Sequence, residues 1–195
     1  LDGPTDLVDA VMAAHGHIDV LVNNAGIIQV GPLDHMTIGD FEDAMNTHFW
    51  GPLFMVLAAV PHLRRQGGGR IVNIASIGAF KGAGPASSMA YAAAKAGVVN
   101  MTRNLARALG PEVRVNAIAP GSVDSPWLEW TDQQRKGSLE KSLLKKIGKP
   151  SEYADVIVFL ASPASRFITG QVIVVDGGYT MTKELIPSEL FAKPR

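Results

Sequence analysis

Tyr91 and Lys95 stand four residues apart in the run Tyr91-Ala-Ala-Ala-Lys95. On a helix that spacing puts both side chains on one face. An ammonium beside a phenol favours the phenolate, which lowers the tyrosine pKa from ~10 towards neutrality and makes Tyr91 a usable general acid or base. An ordinary surface pair has the same spacing. Ser76 ends an apolar run fifteen residues earlier; its hydroxyl can bond a substrate carbonyl or close its own turn. Asn23-Asn24-Ala25-Gly26 and Pro120-Gly121-Ser122-Val123-Asp124-Ser125 each follow another apolar run. Small residues there let a flat ligand approach the backbone, and the asparagines can fasten a turn or neighbouring strands.

The elements that would position these groups are legible. Ile18–Asn23, Arg70–Ser76, Val113–Pro120 and Val172–Asp176 are short, continuous runs rich in valine and isoleucine, the pattern of strands buried on both faces of a parallel sheet. Helical stretches lie between them. Leu7–His15 ends at Gly16. Thr37–Arg65 opens on Thr37 and Asp40 at capping-box spacing and carries Pro52 and Pro61, which should bend or shorten it. Ser88–Leu109 stops at Gly110-Pro111, and a last helix starts at Pro150-Ser151 with Ser151 as N-cap. Alternating strands and helices predict an α/β, doubly wound parallel sheet with right-handed crossovers. Its ligands bind at the carboxyl ends of the strands, where Ser76 and both small-residue runs fall. Ile18–Asn23 reads as a central strand, left at a sheet edge here because the strands that should flank it are missing. Residues 125–149, the most polar stretch, read as a substrate loop with a short amphipathic helix, and Trp127, Leu128 and Trp130 as an apolar lid or as packing.

Composition narrows the function. Lys+Arg and Asp+Glu are both 18, hydrophobic residues make up 47% and charged residues 18% of 195. A chain of that apolar content folds, and a net charge of zero argues against nucleic acid as a partner. No apolar run approaches the ~20 residues of a membrane span. With no cysteine, thiolate chemistry and zinc–sulfur sites are excluded and a reducing, cytoplasmic location is expected. The histidines show no metal-ligand spacing, so no metal is expected.

Taken together, Asn23-Asn24-Ala25-Gly26, Ser76, Tyr91-x-x-x-Lys95, Asn116 with Pro120-Gly121, and Thr169-Gly170 with Asp176-Gly177-Gly178 resemble the short-chain dehydrogenase/reductases, with a loose likeness to the beta-ketoacyl reductase-like members. The resemblance runs from Leu7 to Tyr179. It implies a Rossmann-like fold and hydride exchange between NAD or NADP and a small carbonyl or alcohol. Tyr91 would carry the proton, Lys95 would lower the Tyr91 pKa and hold the nicotinamide ribose, and Ser76 would orient the substrate oxygen. Asn24, Ala25 and Gly26 would line the adenosine-ribose side of the cofactor, and Pro120, Gly121, Val123 and Ser125 would flank the nicotinamide. A homodimer or homotetramer through helices 37–65 and 88–109 is implied too.

The chain departs from that family in three places. The opening strand–helix–strand–helix–strand stretch, with its glycine-rich phosphate loop and the determinant of NAD against NADP, is absent. Residues 1–195 are thus expected to be a partial domain, the C-terminal portion of a longer enzyme. The rival reading is a non-catalytic remnant or interaction subunit. Gly67-Gly68-Gly69 follows a helix and precedes a strand, so it reads as a helix exit and not as a phosphate cradle. Secondly, the position of the family's catalytic asparagine, three residues before Gly51, is His48; Asn46 comes two residues earlier, about 200° round an α-helix. His48 reads either as a member of a proton relay or as a helix histidine with no catalytic part. Thirdly, the stretch between Ser76 and Tyr91 is longer than usual, with 81–88 expected as a loop.

Overall fold

The computed structural model of the chain describes residues 2–28, 31–82, 89–126 and 130–181. Four parallel strands form one sheet in the order β1 (Val20–Asn23), β2 (Gly69–Ile74), β3 (Val113–Pro120), β4 (Val172–Val175). Register pairs Asn23 with Asn73 and Asn73 with Ala117, so the carboxyl ends of β1, β2 and β3 lie side by side. α1 (Asp2–His15) precedes β1, and between the strands run α2 (Ile38–Met45), α3 (Gly51–Arg65), α4 (Gly78–Lys81), α5 (Met89–Leu109), α6 (Asp132–Lys141) and α7 (Pro150–Ala161).

The sheet has apolar cover on both faces, as continuous valine and isoleucine runs require. On one face Ile71, Val113 and Val115 meet Val8 of α1, Val56, Ala59 and Leu63 of α3, and Ala106 and Leu109 of α5. Ala75, Ala117 and Ala119 continue that face against Val98, Val99 and Met101 of α5. On the other face Val72 and Ile118 meet Tyr153 and Leu160 of α7. Alanines under α5 let its backbone approach the strand ends closely, which brings Tyr91 and Lys95 to Ser76. β1 is an outer strand, with Val22 40% exposed.

Three expectations need correction. Residues 37–65 are not one helix. The Thr37–Asp40 capping box forms, but a single π-helical turn, Asn46–Trp50, separates α2 from α3. Pro52 sits in the first turn of α3, where its missing N–H costs nothing, and the helix runs on through Pro61. The N-cap of α7 is Lys149, not Ser151, because Pro150 already occupies the first helical position and Glu152 accepts the Lys149 N–H at 2.9 Å. Finally, α6 is polar all round rather than amphipathic. Its buried residue is Ser138, bonded to Ser122 Oγ at 3.0 Å, and Thr131 caps it. Gly67-Gly68-Gly69 is a helix exit as read, with the Gly68 N–H returning to the Leu63 carbonyl at 2.9 Å.

Candidate active site

Ser76 follows β2, and its Oγ accepts the N–H of Gly78 at 3.1 Å, the turn-closing bond expected of a strand-terminal serine. The hydroxyl still has its proton to give, and it hydrogen-bonds the Tyr91 side chain. Of the two roles weighed for Ser76 the turn-closing one is formed, and the bond to Tyr91 is an additional one. Lys95, one helical turn along α5, is buried and donates to the Ile74 carbonyl at 2.5 Å, with its Nζ 5.5 Å from the Tyr91 ring centre. That carbonyl ends the strand that carries Ser76, so one strand end positions all three groups.

The acidities differ from those read off spacing. Burial pushes the Tyr91 hydroxyl above its ordinary value, and the Ser76 bond pulls it back only in part. Burial lowers Lys95 to about 8. The Lys95 ammonium is turned to the Ile74 carbonyl, and burial makes its own charge costly.

His48 lies within the π-helical turn and is 1% exposed. The extra residue per turn turns its side chain inward. Its Nε2 lies 2.6 Å from the Ile27 carbonyl. A carbonyl only accepts, so Nε2 carries the proton and Nδ1 is bare. Nδ1 is buried and has no partner among the described residues. The ring meets Tyr91 edge-on, 4.9 Å between centres at 89°. Burial, then the nearby Lys95 charge, hold His48 down at about 4, against the Ile27 bond; the imidazole is neutral at pH 7. A Cβ on Gly26 would stand 2.9 Å from His48 Cε1, so glycine there makes room for the histidine.

Asn24 and Ala25 are exposed just beyond β1, with Gly26 half-buried. The Asn23 amide donates to Asn73 Oδ1 at 2.8 Å, and the Asn73 amide donates to Thr102 Oγ1 at 3.0 Å. These bonds tie β1, β2 and α5 together beneath the site, as expected of an asparagine that fastens strands. Pro120 ends β3, and the Gly121 N–H donates to Val175 at 3.0 Å. A Cβ on Gly121 would lie 2.8 Å from Asp176 Cβ, so this loop can hug the β4 end only with glycine. Val123 pairs with Gly148 and accepts the Trp130 indole N–H at 3.2 Å. Of the lid residues Trp130 is tied down in this way, whereas Trp127 and Leu128 lie outside the described residues, as do 83–88 of the loop before Tyr91.

Sequence reading missed Asn73, Thr102 and Arg114. For Asn73 and Arg114 the signal was there, a polar or charged residue inside an otherwise apolar strand; Thr102 lies on α5 and had no such signal. Arg114 donates to the carbonyls of Leu160, Ser162, Ser165 and Ile168 at 3.0–3.2 Å, closing the far end of α7. A cleft of about 480 Å³ lined by Asp19, Gly68, Arg70, Glu112 and Arg114 lies at that amino-terminal end of the strands, remote from Ser76 and Tyr91.

Lys95 has ammonium protons beyond the one given to Ile74, and its Nζ lies 5.5 Å from the Tyr91 ring centre; such a donor could meet a ribose diol. Small residues at 24–26 and 120–121 leave backbone accessible on either side. No glycine-rich loop after a strand supplies a pyrophosphate cradle in this sequence.

Residues 3–180 match a family described as enoyl-(acyl carrier protein) reductase. The chain is 41% identical over 176 residues to the 3-oxoacyl-[acyl-carrier-protein] reductase FabG of Thermotoga maritima, covering 89% of this chain and 70% of that protein. Among solved structures it is similar to a short-chain dehydrogenase/reductase of Brucella melitensis, with a TM-score of 0.87 and 37% identity over 93% of this chain and 73% of that one. It is also similar to a 7α-hydroxysteroid dehydrogenase complexed with NADH and 7-oxo glycochenodeoxycholic acid, with a TM-score of 0.85 and 31% identity over 90% and 69% of the two chains. With this sheet, these strand-end residues and these relatives, the chain belongs to the short-chain dehydrogenase/reductases, a family of NAD(P)-dependent oxidoreductases.

Proposed function

We propose that this chain carries the proton-transfer centre of an oxidoreductase that interconverts a small carbonyl and an alcohol with NAD or NADP. The observation that supports this reading best is the shared placement of Ser76, Tyr91 and Lys95 at the end of β2, with the Ser76–Tyr91 hydrogen bond already formed. The nicotinamide supplies or takes the hydride when bound. Tyr91 gives its proton to the substrate oxygen as that oxygen gains charge, and takes it back in the reverse direction. Ser76, fixed by the Gly78 N–H, orients the same oxygen. Lys95 stabilises the phenolate that Tyr91 becomes and holds the nicotinamide ribose. His48 keeps the Gly26–Ile27 backbone and the Tyr91 ring in place from one neutral side chain. Asn24, Ala25 and Gly26 line the adenosine ribose, and Pro120, Gly121, Val123 and Ser125 flank the nicotinamide.

A buried phenol with a raised pKa gives up its proton as negative charge forms on an oxygen beside it. Titration of the protein with NADH and NADPH, followed by nicotinamide fluorescence, tests the cofactor half of the proposal. Saturable binding weakened by Lys95→Ala is expected. A folded sample that binds neither dinucleotide up to millimolar concentration supports the rival reading of a non-catalytic remnant or interaction subunit. Exposed apolar residues on α3, among them Leu57, support assembly into a homodimer or homotetramer through α2–α3 and α5.

A further inference from the structure

Tyr179 lies in the turn that follows β4, and two lysine ammoniums face its ring. Lys81 Nζ is 4.8 Å and Lys141 Nζ 5.8 Å from the ring centre. Lys81 ends α4, the short helix that begins two residues after Ser76; Lys141 ends α6, in the substrate-loop region. The tyrosine that brings them together is itself held. Asp176 accepts the N–H groups of Gly178 and Thr180, each at 2.8 Å, and the Thr180 hydroxyl at 2.7 Å. Ser142 Oγ and the Leu144 N–H both bond the Gly177 carbonyl, at 3.2 and 3.1 Å. The turn is thereby stitched to the end of α6.

Two ammoniums at one ring repel each other, and each aromatic contact returns only ~0.5–1 kcal/mol at an exposed site. Neither lysine has a carboxylate within ion-pair distance among the described residues. The Asp176 carboxylate beneath them is occupied by three donors. Positive charge is thus concentrated at the carboxyl ends of the strands, the side on which an open α/β sheet takes its ligand. Lys81 follows Ser76 by five residues and closes the short helix α4 that leads away from it.

We propose that Lys81 and Lys141, set by Tyr179, form an anion subsite for a carboxylate or phosphate at the end of the substrate remote from its carbonyl. The proposal rests on the oxidoreductase reading and deepens it: the substrate class is an acidic keto or hydroxy compound. The tyrosine holds the cations apart until the anion bridges them.

Two measurements test it, one of them independent of turnover. The first follows reductively ¹³C-methylated lysines by NMR, with the Lys81 and Lys141 signals assigned through Lys81→Arg and Lys141→Arg. Octanoate, inorganic phosphate and neutral octanamide are titrated in turn at low salt. Saturable shifts of those two signals with an anion and not with the amide are expected. Equal shifts of all lysines, or none at these two, overturn the proposal. The second compares kcat/KM for 7-oxooctanoate and its methyl ester. The acid-to-ester ratio is expected to fall about tenfold in the Lys81→Ala/Lys141→Ala variant, a loss of ~1.4 kcal/mol, and to fall with added salt in the unmodified protein. An unchanged ratio overturns the subsite. Lysine shifts with neither compound reduced would refute the oxidoreductase reading and leave the anion site standing.

Discussion

At the residue scale the site is a set of groups whose burial matters more than their spacing. The pairing of Tyr91 and Lys95 was legible from four residues of sequence, as was the place of Ser76 at a strand end. Their acidities were not, because an isolated phenol–ammonium pair and a buried one shift in opposite directions, and sequence spacing carries no measure of desolvation. His48 was legible as a departure but not as a role; only the Ile27 carbonyl and the Tyr91 ring, brought in from distant sequence, define what it touches. Its acidity gives a stability prediction. His48 titrates near 6.5 when unfolded and at about 4 when folded, so between those values the unfolded chain binds more protons and stability falls as pH falls. Urea midpoints measured from pH 7 down to 4 are expected to drop with a contribution of at most ~1.4 kcal/mol per pH unit from this residue. His48→Asn should remove that part of the slope while keeping a group able to bond Ile27. The same slope in both proteins would contradict the buried neutral imidazole.

At the element scale the strands, α5 and the capping box of α2 follow from periodicity and cap residues, and the helix around His48 does not. A π-helical turn costs one unpaired step in the ladder and has no pattern of its own in Asn46-Thr47-His48-Phe49-Trp50. Tertiary contact with Gly26 and Ile27 selects it. Deleting Thr47 should restore a plain helix, rotate His48 by about 100° and abolish activity with far-UV circular dichroism unchanged; retained activity would show that the turn does not place the histidine. Arg114 makes the corresponding prediction for the other end of the sheet. Arg114→Ala removes four hydrogen bonds to carbonyls around the end of α7, each of which keeps another donor, and should lower unfolding free energy by about 2 kcal/mol in urea. Dinucleotide affinity should be nearly unaffected, since none of those carbonyls adjoins Tyr91. α6 carries no apolar stripe to mark it as a helix in the sequence: Thr131 and Gln134 cap it, and almost none of it is buried.

At the scale of the whole molecule, the fold class was set by four valine- and isoleucine-rich runs alternating with helices, and the sheet order follows from parallel pairing with right-handed crossovers. Which apolar surfaces remain open was not legible, because exposure depends on how the elements close over one another. Leu57 is 57% exposed on α3 and Trp50 42% exposed just before it, apolar surface that the proposed assembly would cover. Light scattering behind size-exclusion chromatography is expected to give a dimer or tetramer, with Leu57→Asp shifted towards monomer; a monomer at micromolar concentration would refute assembly through this face. Among the described residues no helix is long and apolar enough to cross a membrane. The central claim, that Tyr91 transfers the proton while a nicotinamide transfers the hydride, has a direct test. The protein and Tyr91→Phe are each incubated with NADH and NADPH deuterated at the transferable position and a ketone, and deuterium at the carbinol carbon is measured by mass spectrometry. We expect label in the product of the unmodified protein and a rate about 10²–10⁴-fold lower in Tyr91→Phe, with dinucleotide binding retained. Deuterium transfer by Tyr91→Phe at the unmodified rate would contradict the account.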